Sequence, residues 1–245
     1  MIAYLFDNRF YFNHSMLYLV GTPIGNLEDL SLRQAKTILA ADILLAEDTR
    51  SAEILRAAAE RLFSIDRNPD QIVVSYYKDR EFEKLPYILS LLEEDKNVAL
   101  ISEAGMPIIS DPGGLLASHC RKHKIPFTVI PGPSSVTNAL ALAGNTSHTW
   151  TYLGFLPKRE GEIKKLIEKL AIVPNFGKGN HVFVAFESPD RFNDTMKLFN
   201  QIIPTATITL CREMSKKFEE VITGAPLELI DRGFRGEFVI IISLK

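Results

Sequence analysis

Leu17-Tyr-Leu-Val-Gly-Thr-Pro-Ile-Gly-Asn26, Ile101-Ser-Glu-Ala-Gly-Met-Pro-Ile-Ile-Ser-Asp-Pro-Gly113 and Val129-Ile-Pro-Gly-Pro-Ser-Ser135 are built alike. Each is an apolar run that stops abruptly in Gly, Pro and small polar residues. A strand buried on both faces reads as an unbroken apolar run, and Gly/Pro punctuation marks the loop at its carboxyl end. In open α/β sheets ligands sit in the crevice at that edge. Three such endings in one chain point to one ligand held by several backbone loops. Small residues there let a ligand approach main-chain N–H and C=O groups closely.

Outward from these stretches, strands and helices alternate, which predicts an α/β protein. The pattern predicts strands at Leu17–Val20, Ile43–Ala46, Val73–Val74, Val98–Ser102 and Phe127–Ile130. Helices are expected over Ser31–Ala40, Ala52–Leu62, Pro86–Glu94 and Gly114–His123. Pro86 is tolerated if it lies in the first turn of its helix. Pro131-Gly-Pro133 then interrupts the alternation, and Ser134 and Ser135 are placed to cap a helix running to Leu142.

The second half repeats the theme. Strands are expected at Thr151–Phe155, His181–Phe186, Thr205–Cys211 and Phe238–Ser243, with helices over Glu160–Leu170 and Arg191–Ile202. Residues 174–180 read as a loop on composition. These elements predict two α/β domains, residues 16–131 and 132–245, with the boundary near Pro131–Ser135. Residues 1–15 lack the basic start and long apolar core of a signal peptide and are expected to form a poorly ordered N-terminal extension.

Bulk properties narrow the classes. Of the 245 residues, 46% are hydrophobic and 24% charged, the balance of an ordinary soluble globular protein. The net charge of −2 gives no global basic field to announce naked nucleic acid as a partner. Cys120 and Cys211 lie far apart without metal-ligand spacing, which fits a reducing cytoplasm. No apolar run approaches a membrane span. The five histidines show neither metal spacing nor a Ser/His/Asp arrangement, and no metal site is expected.

Three polar blocks follow apolar runs. Glu47-Asp-Thr-Arg50 sets two carboxylates and a guanidinium after a strand, where substrate contact is common. Asp48 reads equally well as an N-cap with Arg50 paired to a carboxylate. In Glu187-Ser-Pro-Asp-Arg191, Ser188 before Pro189 looks like an N-cap with Pro at N1, which leaves Glu187 and Arg191 without a local explanation. Arg212, Glu213, Lys216 and Lys217 make the most polar cluster of the second half.

These stretches also carry a resemblance. Thr22-Pro-Ile-Gly-Asn-Leu-Glu-Asp29, Ala46-Glu-Asp-Thr-Arg50, Ser102 to Gly113, Pro131-Gly-Pro-Ser134, Gly154-Phe-Leu-Pro157, Glu187-Ser-Pro-Asp-Arg191 and Cys211 to Glu220 resemble, in order, motifs of the tetrapyrrole methylase family. Within it the chain is most similar to the bacterial 16S ribosomal RNA cytidine 2′-O-methyltransferases. The resemblance implies two α/β domains with a cofactor cleft between them and S-adenosylmethionine as cofactor. It implies 16S rRNA in the small ribosomal subunit as substrate, and a homodimer.

The resemblance places Pro23, Ser102, Glu103, Ala104, Gly105, Ile108, Ser134 and Ser135 against the cofactor. It makes Asp48, Arg50, Arg191 and Arg212 candidates for substrate contact. A methyl transfer to a ribose hydroxyl needs in-line geometry and help with the hydroxyl proton. Glu213 and Lys216 are the first candidates for that help, with Glu47 and Glu187 next. Glu103, Met106 and Asp190 depart from the usual Asp, Thr and His. Two other readings stay open: a methylase of tetrapyrrole precursors, and a non-catalytic module that binds S-adenosylmethionine or RNA.

Overall fold

The structure is a computed structural model that describes residues 15–144, 148–173 and 181–244. Most of the expected extension, residues 1–14, and the loop at 174–180 lie outside the described residues. The chain divides into two compact units between Ser134 and Ser135.

In the first unit, β1 (Leu17–Val20), β2 (Ile43–Ala46), β3 (Ile72–Ser75), β4 (Val98–Ile101) and β5 (Phe127–Ile130) form one sheet in the order β3-β2-β4-β1-β5. All its pairings are parallel. The alternating pleat sends Tyr18, Val20, Leu44, Ala46, Ala99 and Ile101 to one face. There α1 (Leu32–Ala40) and α2 (Thr49–Phe63) cover them. Leu17, Leu19, Ile43, Leu45, Val98 and Leu100 go to the other face, beneath α3 (Glu81–Glu93) and α4 (Gly114–His123). With helices on both faces, the place for a ligand in such a sheet is the crevice at its carboxyl edge, where all five strands end.

The helix expected over Pro86–Glu94 starts earlier, at Glu81, so Pro86 lies inside α3 rather than in its first turn. Its ring nitrogen cannot donate to the Phe82 carbonyl, a loss that local sequence reading treats as a break. Contacts to the sheet edge compensate: Lys84 Nζ donates to the Ser75 carbonyl at 2.5 Å, and Glu81 accepts from the Gly113 N–H.

The second unit holds α5 (Ser135–Leu142), β6 (Trp150–Phe155), α6 (Glu160–Leu170), β7 (Val182–Glu187), α7 (Pro189–Ile202), β8 (Thr207–Arg212), β9 (Glu220–Gly224), α8 (Pro226–Leu229) and β10 (Phe238–Ser243). Its sheet is mixed, in the order β6-β7-β10-β8-β9. The sequence reading missed β9 and α8. β9 is a short edge strand with no buried residue and so no apolar run to announce it, and α8 is a single turn. β10 runs antiparallel to both β7 and β8, and its Phe238 pairs with Glu187 on one side and Arg212 on the other. This register brings the ends of β7 and β8, and the polar blocks that follow them, to the same edge of the second sheet.

Candidate active site

At the edge of the first sheet, the endings of β1 and β4 are clasped together. Thr22 and Gly105 exchange backbone hydrogen bonds of 2.8 and 3.2 Å. The buried Thr22 hydroxyl lies 3.2 Å from the Ser102 carbonyl and 3.3 Å from that of Gly105, and Ser102 Oγ donates to the Gly105 carbonyl at 3.0 Å. Buried polar groups cost free energy unless paired, so this closed set holds the start of the 102–113 loop in one shape.

The rest of that loop is conformationally strained. Ile108 has φ +76 and Ser110 φ +71, between Gly105 at +82 and Gly113 at +115. A β-branched residue in the left-handed region is an outlier, and such positions cost about 1–3 kcal/mol each. Strain of this kind persists where the surroundings over-determine the backbone, and it concentrates at ligand clamps.

The ends of β1 and β5 meet through glycine. A Cβ at Gly132 would come within 2.8 Å of the Gly21 backbone and 2.5 Å of Gln34 Nε2. Gln34 is itself buried. It donates to the Gly21 carbonyl at 2.6 Å and accepts from the Ser31 N–H at 2.5 Å. Gln34 lies in the helix expected over Ser31–Ala40, and nothing in the sequence marks it as meeting the Gly21 carbonyl. Gly132→Ala is expected to destabilise the protein by about 2 kcal/mol, because backbone rather than a flexible side chain must move. The same change at Gly161, where nothing among the described residues lies within 4 Å, should be neutral or stabilising. Urea denaturation of the two variants checks the contrast.

Acids gather at this edge as well. Burial, then repulsion from Glu103, raises the pKa of Glu47. Burial, then Glu47 and Glu103, pushes Asp111 up to about 6. Asp111 stood in the quoted loop without a role, because nothing in the sequence places it beside Glu47. Its ordinary value is 3.8, so between that pH and about 6 the folded protein keeps a proton that the unfolded chain has lost. Stability must then fall as pH rises through this window and level off above it. Asp111→Asn should flatten that slope and stabilise the protein at neutral pH by about 1 kcal/mol, allowing for partial exposure. Unfolding measured on either side of the window tests this, and an unchanged slope would refute it.

Asp48 and Arg50 pair with each other. Asp48 caps α2 by accepting from the Arg50 N–H at 2.7 Å, and it also accepts from Arg50 Nη2 at 2.8 Å. The Arg50 guanidinium holds the Asp48 carboxyl down at about 2. Arg50 remains 89% exposed and can still meet an anion, whereas Asp48 is occupied by its helix.

In the second unit, Glu187 and Arg191 form a closed network. Glu187 has no exposed side-chain surface. Its carboxylate accepts from the Ser188 N–H and the Thr195 hydroxyl, both at 2.7 Å, and pairs with the Arg191 guanidinium. Arg191 also donates to the carbonyls of Leu156 at 3.1 Å and Pro157 at 2.7 Å. A bulge in β6, with Gly154 at φ +71, precedes these two carbonyls, which gives the Gly154–Pro157 block a local task. Ser188 occupies the N-cap of α7 without a side-chain capping bond. Its hydroxyl accepts from Arg191 Nε at 3.1 Å instead, so the capping reading explains Pro189 but not Ser188.

Glu213 follows β8 in the left-handed region at φ +49. Its carboxylate accepts from the Glu237 N–H at 2.9 Å and from Lys216 Nζ at 3.2 Å, and it keeps 17% of its side chain exposed. The Glu237 N–H, outweighing some burial, and the Lys216 charge hold its pKa below the ordinary value. Burial pulls the Lys216 ammonium down, but Glu237 and Glu213 outweigh it and the net shift is upward. Gly236 leaves the space that Glu213 occupies, since any Cβ there would collide with the carboxylate. Arg212 donates to Glu220 at 2.7 Å and to the Arg235 carbonyl at 3.2 Å. The 235–237 turn, silent in sequence, thus completes this cluster.

An all-parallel sheet with loop clasps at its carboxyl edge, followed by a mixed sheet with a polar cluster at its own edge, defines an α/β enzyme scaffold. The chain belongs to the family described as Tetrapyrrole (Corrin/Porphyrin) Methylases, whose model matches residues 16–229. It is 34% identical over 232 residues to a protein of Hydrogenobaculum sp. named ribosomal RNA small subunit methyltransferase I, covering 93% of this chain and 95% of that one. A protein of the same name from Thermotoga maritima is 36% identical, with 94% and 98% covered. Among solved structures, a uroporphyrin-III-C-methyltransferase from Thermus thermophilus aligns with a TM-score of 0.62 at 18% identity, covering 93% of this chain and 94% of that one. That last likeness concerns the fold alone.

Proposed function

We propose that this protein transfers a methyl group from S-adenosylmethionine to the ribose 2′-OH of a cytidine in 16S rRNA. The observation that carries the reading is the strained, doubly clasped 102–113 loop at the carboxyl edge of the parallel sheet, in a chain whose relatives are named for methylating the small-subunit RNA. When bound, S-adenosylmethionine supplies an electrophilic methyl group on a cationic sulfonium. The residues present fit that group. Glu47, Glu103 and Asp111 make an edge whose acids repel one another, and a cation there relieves the repulsion.

In this reading Pro23, Ser102, Glu103, Ala104, Gly105, Ile108, Ser134 and Ser135 line the cofactor. Arg50 and Arg212 serve the RNA backbone. Lys216 stays protonated at neutral pH and contributes charge rather than accepting a proton. Glu213 accepts the hydroxyl proton. Glu187 and Arg191 fix the β6 and β7 endings. A 2′-OH acceptor restricts the reaction to RNA, because DNA lacks that group. A chain with net charge −2 suits RNA presented on the small ribosomal subunit in the cytoplasm, and the working form is taken to be a homodimer.

Methyl-labelled S-adenosylmethionine offered with small ribosomal subunits or with a reduced tetrapyrrole separates the alternatives. Label in rRNA supports the proposal. Label in the tetrapyrrole assigns the protein to the other branch of its family, and cofactor binding without transfer makes it a non-catalytic module.

A further inference from the structure

The loop at residues 102–113 is clasped at its start by Thr22 and Ser102, as described above. Its far end is held by a residue from another helix. Glu81, the first residue of α3, accepts a hydrogen bond from the Gly113 N–H. Gly113 is the N-cap of α4, with φ +115, and it provides no side-chain cap. A side chain there would be strained by the positive φ and would crowd the end of the Leu100 side chain. The carboxylate of Glu81 therefore takes the N-cap N–H of α4, as the N3 acid of a capping box would, and its charge suits the positive end of that helix.

Tyr76 is fully buried beside this carboxylate, and burial, then the Glu81 charge, raises the pKa of the Tyr76 hydroxyl. Lys84, one turn along α3, anchors that helix to the end of β3 through the Ser75 carbonyl. Between the two held ends lie Ile108 and Ser110 with positive φ, and Ile108 N–H bonds the Pro112 carbonyl at 3.2 Å. A backbone in sparsely populated conformations relaxes when either end is released.

We propose that Glu81 is a positioning residue for cofactor binding: by accepting the Gly113 N–H it holds the 102–113 loop in the shape that receives S-adenosylmethionine. The inference rests on the reading that this loop binds that cofactor. Glu81 carries it out from a helix without itself touching the cofactor.

The test compares Glu81→Ala, Glu81→Gln and Glu81→Met in the full chain. Calorimetry with S-adenosylhomocysteine reads affinity well below each melting temperature, and hydrogen exchange reads the Gly113 amide. The alanine variant should bind at least tenfold more weakly and exchange faster at Gly113. The glutamine variant keeps an acceptor oxygen and should stay within about threefold of wild type. If the alanine variant does not fold, the methionine variant keeps the stem without the acceptor and should show the same loss. Wild-type affinity in the alanine or methionine variant overturns the proposal, as does a glutamine variant that falls as far as alanine. If the wild type binds no cofactor, the reading of the loop fails. The role in cofactor binding falls with it, and exchange alone then tells whether Glu81 holds the loop: faster exchange at Gly113 in alanine, restored in glutamine, shows that hold, and unchanged exchange shows none.

Discussion

Glu187→Ala should cost about 3 kcal/mol of stability while the folded fraction keeps its turnover within tenfold. The carboxylate is fully enclosed and its two oxygens already accept from Ser188, Thr195 and Arg191. Removing it strands the Arg191 guanidinium, which is three-quarters buried, against the Leu156 and Pro157 carbonyls. Breaking a buried pair by deleting one partner is worse than removing both. Arg191→Ala in the same chain should therefore cost less than the sum of the single changes, and urea denaturation of the cycle measures the difference. A substrate hydroxyl has no route to an oxygen with no exposed surface. If turnover fell a hundredfold with stability unchanged, Glu187 would be the proton acceptor that the sequence had also allowed.

Glu213→Gln is expected to lower turnover about 10²-fold with cofactor affinity unchanged. Glu213 is ionised at neutral pH because the Glu237 N–H and Lys216 hold its pKa low, and it retains exposed surface. A carboxylate of low pKa is a weak base, which sets the expected effect at the low end of general acid–base catalysis. It is adequate here because the ribose hydroxyl becomes strongly acidic only as its oxygen takes the methyl group, so the proton leaves late. Gln keeps an oxygen for the Glu237 N–H and should fold normally. Lys216→Met should weaken turnover through lost charge, and the exposed Glu168→Gln on α6 should change nothing. Parallel loss of cofactor binding and turnover in Glu213→Gln would make the cluster a binding element.

The apolar runs made the fold legible. Leu17–Val20, Ile43–Ala46 and Phe238–Ser243 are buried strands with abrupt ends, and with the half-exposed edge strand Phe127–Ile130 they fall where the sequence placed them. Tertiary contacts hid the rest. Pro86 misled because sheet-edge contacts from Glu81 and Lys84 sustain a helix that local rules would start later. At the candidate site the sequence exposed residues that follow strands, such as Glu47, Ser102, Glu187 and Glu213. It could not reveal Gln34, Asp111 or Gly236, whose importance lies in what they meet across the fold: the Gly21 carbonyl, the Glu47 charge and the Glu213 carboxylate. Nor could it separate Glu187 from Glu213. Both are acids at strand ends, and only burial distinguishes the enclosed one from the accessible one.

The most direct measurement digests 16S rRNA to nucleosides after small ribosomal subunits lacking the modification have been incubated with this protein and S-adenosylmethionine. Mass spectrometry should then show a gain of 2′-O-methylcytidine, abolished in the same assay when the cofactor is left out. A methyl group found on a base, on another nucleoside's ribose or nowhere in the RNA, with the protein folded and the cofactor bound, would contradict the assignment.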